Sequence, residues 1–405
     1  MSERAEPTVG DRIREFRRSR YTQVELAVAA DVSVDVIRKL EQGRRLTASI
    51  GTLQRIARVL DVDVGELLGS SRPVPSSGPR QTSVMAIRDA LTSVDDLLGE
   101  LDDVDAPDLT EFDRAVRYAF GLYWAGRYGP LATMLPRLLT EAAAATHGAA
   151  PADSARAADL AAQVHRIAAS ALLHLGAPDL GHVAAREALR WAGRAPDPVR
   201  AAAVCCSLGH VLMRQGRFVD AERVSVATAE AIQPHGEVSM AQLSVYGGLL
   251  LRGATAAARQ RRAGAAADLL AEAGSVAQRI GTDRADYDVV FGPGHHVMGA
   301  VDCFVVAEDY VAAAQVARTM PPDAALPLST RSRHLADVAH AHLRLGHSRA
   351  AESVLLAMEQ AAPEWTAHQQ LPRVLVGELM MLGRPSPRLR ALAERLQVQP
   401  APRNG

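Results

Sequence analysis

Lysine is almost missing from this chain of 405 residues: Lys39 stands alone among the basic residues, and every other one is an arginine. With abundant alanine, this suggests a GC-rich coding sequence. Aromatic residues make up 4% of the chain, and alternating β-branched runs are scarce. Half-buried strands favour such residues, so their scarcity argues for helices throughout. Cysteine occurs three times, at Cys205, Cys206 and Cys303. That is no disulfide framework and no metal-ligand spacing, as expected in a reducing compartment. No apolar run reaches the length of a bilayer-spanning helix, and Met1 to Arg20 lacks the apolar stretch of a secretory signal. A cytoplasmic protein without membrane contact is expected. Phosphate-binding glycine loops, a nucleophile elbow, HExxH and paired-cysteine motifs are all missing. Hence no enzymatic activity, cofactor or metal is expected. The formal charge of -1 excludes a uniformly basic polymer, so any affinity for nucleic acid must be local.

What is present divides the chain. Residues 70–79 hold three prolines and four serines, which neither continue a helix nor fill a core. The expected organisation is a small N-terminal domain at 8–69, a linker at 70–83, and a long helical region at 84–397. The size of the chain fits two or more units. The fold class is all-α.

Within the first segment, Thr22-Gln23-Val24-Glu25 has the capping-box form and predicts a helix from Gln23 to Ala30, with Leu26, Ala27 and Ala30 facing inward. Ser33 caps a second helix from Val34 to Gln42, with Ile37 and Leu40 buried and Gly43 suited to a left-handed C-cap. Leu53, Ile56, Ala57 and Leu60, then Val62, Val64, Leu67 and Leu68, predict a fourth and a short fifth helix. Between Arg12 and Arg58 there are eleven basic residues against five acidic ones, a local cationic excess suited to phosphate. Arg17, Arg18 and Arg20 serve equally well as a solvated helix end or as phosphate contacts.

These residues carry a resemblance. The pattern Thr22-Gln23-x-Glu25-Leu26-Ala27, Val32-Ser33, Ile37-x-x-Leu40-Glu41-x-Gly43, Leu53-x-x-Ile56-Ala57-x-x-Leu60 resembles the XRE-family helix-turn-helix of phage repressors and Cro. The resemblance implies a five-helix, lambda-repressor-like domain that binds double-stranded DNA with its second motif helix in the major groove. It departs at Asp31, where the family usually has glycine. By position, Val34, Asp35 and Lys39 match the family's base readers, and Ser33 and Gln23 match positions near the backbone. Arg38 or Lys39 could donate to guanine, Asp35 could accept from a cytosine amine, and Val34 could pack on a thymine methyl. Arg44 and Arg45 follow the reading helix at a position suited to phosphate. Asp35 has an equally good structural role, because a carboxylate in a first turn is favoured by the helix dipole.

In the second segment, Ile87, Leu91, Val94, Leu98 and Leu101 form one helical seam, suited either to a dimer or to packing on a neighbouring element. Glycine-containing turns at 175–178, 215–218, 262–265 and 345–348 predict successive helical pairs. Leu208-Gly209, Gly216, Phe218, Ala221 and Pro234 resemble the tetratricopeptide pattern, and Gly346, Ala351 and Pro363 repeat its last part. The whole chain resembles actinobacterial regulators that join such a helix-turn-helix to tetratricopeptide-like repeats. More distantly, its architecture is similar to peptide-responsive quorum-sensing regulators. This implies a transcription regulator, a homodimer, with a concave α-solenoid that receives a peptide or small-molecule effector or a protein partner. A scaffold or antitoxin-like protein with little DNA-binding role is the alternative. The stretch from Asp286 to His296 interrupts the helical pattern, and Phe291 and His295 within it are the candidate ligand contacts, set against a plain inter-repeat loop. Adjacent histidines diverge by about 100° on a helix, so His295 and His296 are no metal pair.

Overall fold

The computed structural model describes residues 8–18, 21–45, 48, 50–60, 62, 67, 79–94, 106–195, 197–382 and 385–398. The chain divides into two compact units, one of residues 1–76 with 373–405 and one of residues 77–372. The proline- and serine-rich residues 70–78 lie outside the described residues. Residues 79–83, expected as linker, instead open a helix.

The first unit begins with α1 (Val9–Arg18), α2 (Gln23–Ala29), α3 (Val34–Glu41) and α4 (Ile50–Leu60). α2 starts at the expected capping box: Thr22 accepts from the Glu25 amide, and Glu25 accepts from the Thr22 amide at 2.7 Å. It stops because Asp31 takes the left-handed conformation (φ 50°), and Val32 N donates to Ala27 O at 2.9 Å. Aspartate occupies that region at lower cost than most side chains, which is how the turn survives without glycine. Ser33 accepts from the Asp35 amide, and Gly43 (φ 67°) ends α3. Ile13, Leu26, Ala27, Ile37, Leu40, Leu53, Ile56 and Leu60 form one core, which also takes in Leu67. Val64 and Leu68 of the expected fifth helix lie outside the described residues. Gly10 sits where α1 crosses α3, so close that an added Cβ would come within 1.8 Å of the Leu40 carbonyl oxygen.

The second unit opens with α5 (Pro79–Leu91) and continues in helical pairs. The pairs are α6 (Leu109–Trp124) with α7 (Tyr128–Gly148), α8 (Ser154–His174) with α9 (Pro178–Ala192), and α10 (Pro198–Arg214) with α11 (Phe218–Ala231). They continue with α12 (Met240–Arg259) and α13 (Ala263–Ile280), α14 (Pro293–Val306) and α15 (Tyr310–Ala317), and α16 (Leu328–Arg344) and α17 (Ser348–Ala361). The chain then runs through α18 (Pro363–His368), α19 (Gln370–Met381) and α20 (Pro387–Arg395), of which residues from 373 onward belong to the first unit.

Each pair is joined by the same three-residue turn. Its middle residue is left-handed: Gly126, Gly176, Gly216, Arg261, Glu308 and Gly346. The following amide closes a bond to a carbonyl five residues back, as in Arg217 to Leu212 and Arg262 to Ala257. This is the Schellman termination, which satisfies carbonyls that the helix end leaves open. The turn expected around Gly264 is therefore displaced: Gly264 lies inside α13, and Arg261 carries the positive φ.

The first helices of the pairs stack in order, α6 on α8, α8 on α10, α10 on α12, α12 on α14 and α14 on α16. α16 in turn touches α6, so the row closes into a ring. Small residues permit the close crossings: a Cβ on Gly209 of α10 would lie 2.9 Å from Ser225 Oγ and 3.0 Å from Arg252 Cγ. Of the expected seam, Ile87 is fully buried on α5, which packs on α7 and α9, while Val94 is exposed. Leu98 and Leu101 lie outside the described residues.

Among the described residues, one departure from an all-helical chain occurs between α13 and α14. Strands β1 (Arg284–Asp286) and β2 (Val289–Phe291) pair antiparallel, with Asp286 opposite Val289. Tyr287 and Asp288 both have positive φ, the two-residue turn whose twist matches a hairpin. Neither residue is a glycine, so the sequence carried no hairpin signal. Arg166 of α8 holds the turn by donating to the Tyr287 and Asp288 carbonyls and to Ser207 Oγ.

Candidate nucleic-acid interface

The outward face of α3 is built from a short amphipathic sequence with a strong cap at each end. Ile37 and Leu40 point into the core; Asp35, Arg38 and Lys39 point to solvent. Ser33 is exposed, but its hydroxyl already accepts the Asp35 amide at 3.2 Å, so its first task is to hold the helix start. Val34 is half-buried and packs against the domain core, leaving only part of its side chain to face outward.

Lys39 and Asp35 pair across one turn, with Nζ 2.7 Å from Oδ2 and both side chains more than half exposed. An exposed pair of this kind is worth less than about 1 kcal/mol, so either partner can exchange it for a base or a phosphate. Arg38 makes no ion pair among the described residues and is fully available on the same face. Arg44 is exposed just beyond Gly43, whereas Arg45 is half-buried, with its amide donating to Lys39 O at 2.9 Å. Among the described residues the loop thus presents the exposed guanidinium of Arg44 beside the C-terminal end of α3.

Behind this face lies a network that the sequence did not announce. Glu41, 3% exposed, receives Arg17 Nε at 2.6 Å and Arg17 Nη2 at 2.9 Å. Gln23 Nε2 donates to the same carboxylate at 2.8 Å, and Arg17 Nη1 donates to the Tyr21 carbonyl at 2.9 Å. One carboxylate at the end of α3 therefore fixes α1 and the start of α2. Burial works to raise the Glu41 pKa, but the bonds from Arg17 and Gln23 and the Arg17 charge hold it below its ordinary value. The bond to Glu41 raises Arg17 in turn. Arg17 is accordingly neither a solvated helix end nor a phosphate contact. One amide hydrogen of Gln23 is committed, which leaves the other for the DNA backbone. The signal for this network was the pairing of two motif residues, Gln23 and Glu41, with an arginine one helix earlier.

Elsewhere, Phe291 is fully buried and lies against Gly247, where an added Cβ would come within 2.2 Å of its ring. It is a core residue with no face open to a ligand. His295 differs: it is half-buried, its Nδ1 meets no partner among the described residues, and burial pushes its pKa down to about 3. Cys205 and Cys206 are free thiols, and burial pushes Cys206 up to about 12, in keeping with a volume-filling role. Among the described residues no three His, Cys, Asp or Glu side chains could hold a metal together, and no helix is long and apolar enough to cross a membrane.

A family model described as a helix-turn-helix matches residues 13–67, the span from Ile13 in α1 to the buried Leu67. Its limits coincide with the core of the first unit, so this segment is a helix-turn-helix of the XRE type. No curated protein and no solved structure matches the chain.

Proposed function

We propose that the protein is a sequence-specific DNA-binding transcription regulator whose helical array, tetratricopeptide-like in organisation, receives an effector and modulates operator binding. The single observation that carries the DNA-binding part is the face of α3. Arg38, Lys39 and Asp35 stand exposed on a helix braced at its start by Ser33 and at its end by Glu41. A reading helix must be held rigidly against its partner helix if its side chains are to meet base edges in register. Arg44 and the cationic excess of the domain supply the phosphate attraction that such a short helix needs.

The effector-receiving part is supported by the repeated pairs with identical turns and by the placing of Gly209, Phe218 and Ala221 where helices cross. Stacked pairs of this type bury a continuous core while leaving one row of helices to face a partner. The chain acts as a homodimer, since two reading heads multiply the affinity of one. Effector binding then shifts operator affinity by its differential interaction with the two states.

The test is binding of the full-length protein to duplex fragments from its own upstream region, across a salt series, beside the double variant Arg38→Ala, Lys39→Ala. Selective, salt-sensitive binding that the variant loses supports the reading. Equal binding to all duplexes at low salt, unchanged in the variant, refutes it.

A further inference from the structure

The hairpin between α13 and α14 is held in two different ways along its length. Its base is apolar and buried. Phe291 and Val289 fill the room left by Gly247 and Gly248 of α12, where an added Cβ would come within 2.2 Å and 2.6 Å of them. Ser244 Oγ, also on α12, donates to the Val289 carbonyl at 3.4 Å. The base runs through Gly292 into α14, where Asp283, just before β1, accepts from the Gly294 and His295 amides at 3.2 and 3.0 Å. The tip is polar, half-buried and strained: Tyr287 and Asp288 stand at φ 50° and 53°, a region that residues other than glycine enter at a cost.

Side chains of α8 and α10 hold that tip in place. The guanidinium of Arg166 on α8, 4% exposed, donates to the Tyr287 carbonyl, to the Asp288 carbonyl at 2.6 Å and to Ser207 Oγ of α10 at 3.1 Å. The charge of Asp288 offsets part of the cost of burying it. Tyr287 OH donates to Asp197 Oδ2 at the N-cap of α10, at 2.6 Å. The Arg200 guanidinium lies 4.6 Å from the centre of the Tyr287 ring, and its Nε donates to Asp159 of α8 at 2.5 Å. One hairpin therefore ties α8 and α10 at its tip to α12 and α14 at its base. In a solenoid each repeat contacts its neighbours, so a tie across four successive pairs constrains the curvature of the array beyond what those contacts set.

The two ends of the hairpin differ in what opening them would cost. Burial of Phe291 holds the base for as long as the core stands. The tip depends on a few hydrogen bonds, most of them from one guanidinium, and opening it relieves two left-handed residues. We propose that the Tyr287–Asp288 tip is a latch. Closed on Arg166, it fixes the curvature of the array at α8, α10 and α12; open, it lets that curvature relax while the base stays packed. The latch is the two-state element through which the array changes operator binding. This inference rests on the effector-receiving reading above and names the device that carries its regulation.

The test is hydrogen–deuterium exchange of the full-length protein, read by mass spectrometry on peptides covering residues 284–291 and, as reference, the buried middle of α12. Wild type is compared with three variants. Tyr287→Phe removes the bond to Asp197, and Arg166→Met removes the hold on both carbonyls. Asp288→Gly relieves one left-handed residue, at a turn position that favours glycine, and leaves those bonds in place. The hairpin is expected to exchange faster than α12 in wild type. It should exchange roughly tenfold faster again in Tyr287→Phe, the scale of one hydrogen bond to a charged group. Arg166→Met should be faster still and Asp288→Gly slower, with α12 unchanged throughout. Operator binding by the same proteins should shift in opposite directions in Tyr287→Phe and Asp288→Gly. Hairpin exchange that equals that of α12 and moves with it in every variant overturns the proposal, because the hairpin then opens only when the whole core does. Local opening with equal operator affinity in all four proteins overturns it as well. If Arg166→Met fails to fold, Tyr287→Phe and Asp288→Gly decide. Selective operator binding with hairpin exchange tied to α12 sinks only the latch; if none of the proteins selects an operator, the regulator reading fails and exchange alone decides the latch.

Discussion

Arg17 and Glu41, twenty-four positions apart, meet through two bonds of 2.6 and 2.9 Å and tie the first helix of the DNA-binding unit to the last turn of its reading helix. Removing one partner leaves the other charge buried without compensation. Glu41→Gln is expected to lower the stability of the helix-turn-helix by about 2 kcal/mol, the scale of hydrogen bonds to charged groups. Urea unfolding followed by circular dichroism would show it as an earlier first transition.

The same pair sets a pH dependence. Glu41 is held below its ordinary value, so its contribution is complete above the unfolded glutamate value of about 4.3 and is lost as pH falls through the lower folded one. Wild type should therefore lose stability in that acidic window more steeply than Glu41→Gln. Parallel melting curves of the two proteins from neutral pH down to acid would contradict the assignment.

Gly10 gives a steric prediction. A methyl group there would need the Leu40 carbonyl to move, and helix backbone cannot yield as a flexible side chain does. Gly10→Ala should cost about 1–3 kcal/mol, the usual penalty of overpacking, and should weaken DNA binding by tilting α3. Thermal unfolding and duplex titration of one variant check both.

On the reading face, Asp35→Ala frees Lys39 from its exposed partner. The variant should bind non-selective duplex more tightly and with a steeper salt dependence, by about 0.9 in the logarithmic slope for one added phosphate contact. Arg38→Ala should instead cost about 1–3 kcal/mol on the preferred sequence and relax selection there. An unchanged slope in the first variant would mean that Lys39 never reaches the DNA.

Two of the six repeated turns use side chains where the others use glycine. Arg261→Gly and Glu308→Gly should each stabilise the array, by up to about 1 kcal/mol, by relieving a left-handed residue. Gly346→Ala should cost a similar amount although nothing crowds that position. Chemical denaturation of the three single variants gives the signs directly.

Local chemistry made much of this legible. Thr22 with Glu25, Ser33, Asp31 and Gly43 punctuate the reading motif through bonds to amides and carbonyls within five residues, so spacing alone reveals them. Turns at Gly176, Gly216 and Gly346 were equally readable because glycine marks a positive φ. The turn at Arg261 was misread onto Gly264, since there the packed helices on both sides impose the conformation and the residue merely tolerates it. The Tyr287-Asp288 hairpin escaped for the same reason: its turn is held by Arg166, more than a hundred positions away.

The sequence by itself determined the helical class, the helix-turn-helix at residues 13–67 and which side chains of α3 face outward. These follow from periodicity and caps, which act over a few residues. Only the tertiary structure decided which charges are spent and which are free. It gave Arg17 to Glu41, and it set Asp302 between Arg333 and Arg259. Ion pairing depends on distance in space and on enclosure, and a closing ring of helices sets both in ways that no spacing along the chain records.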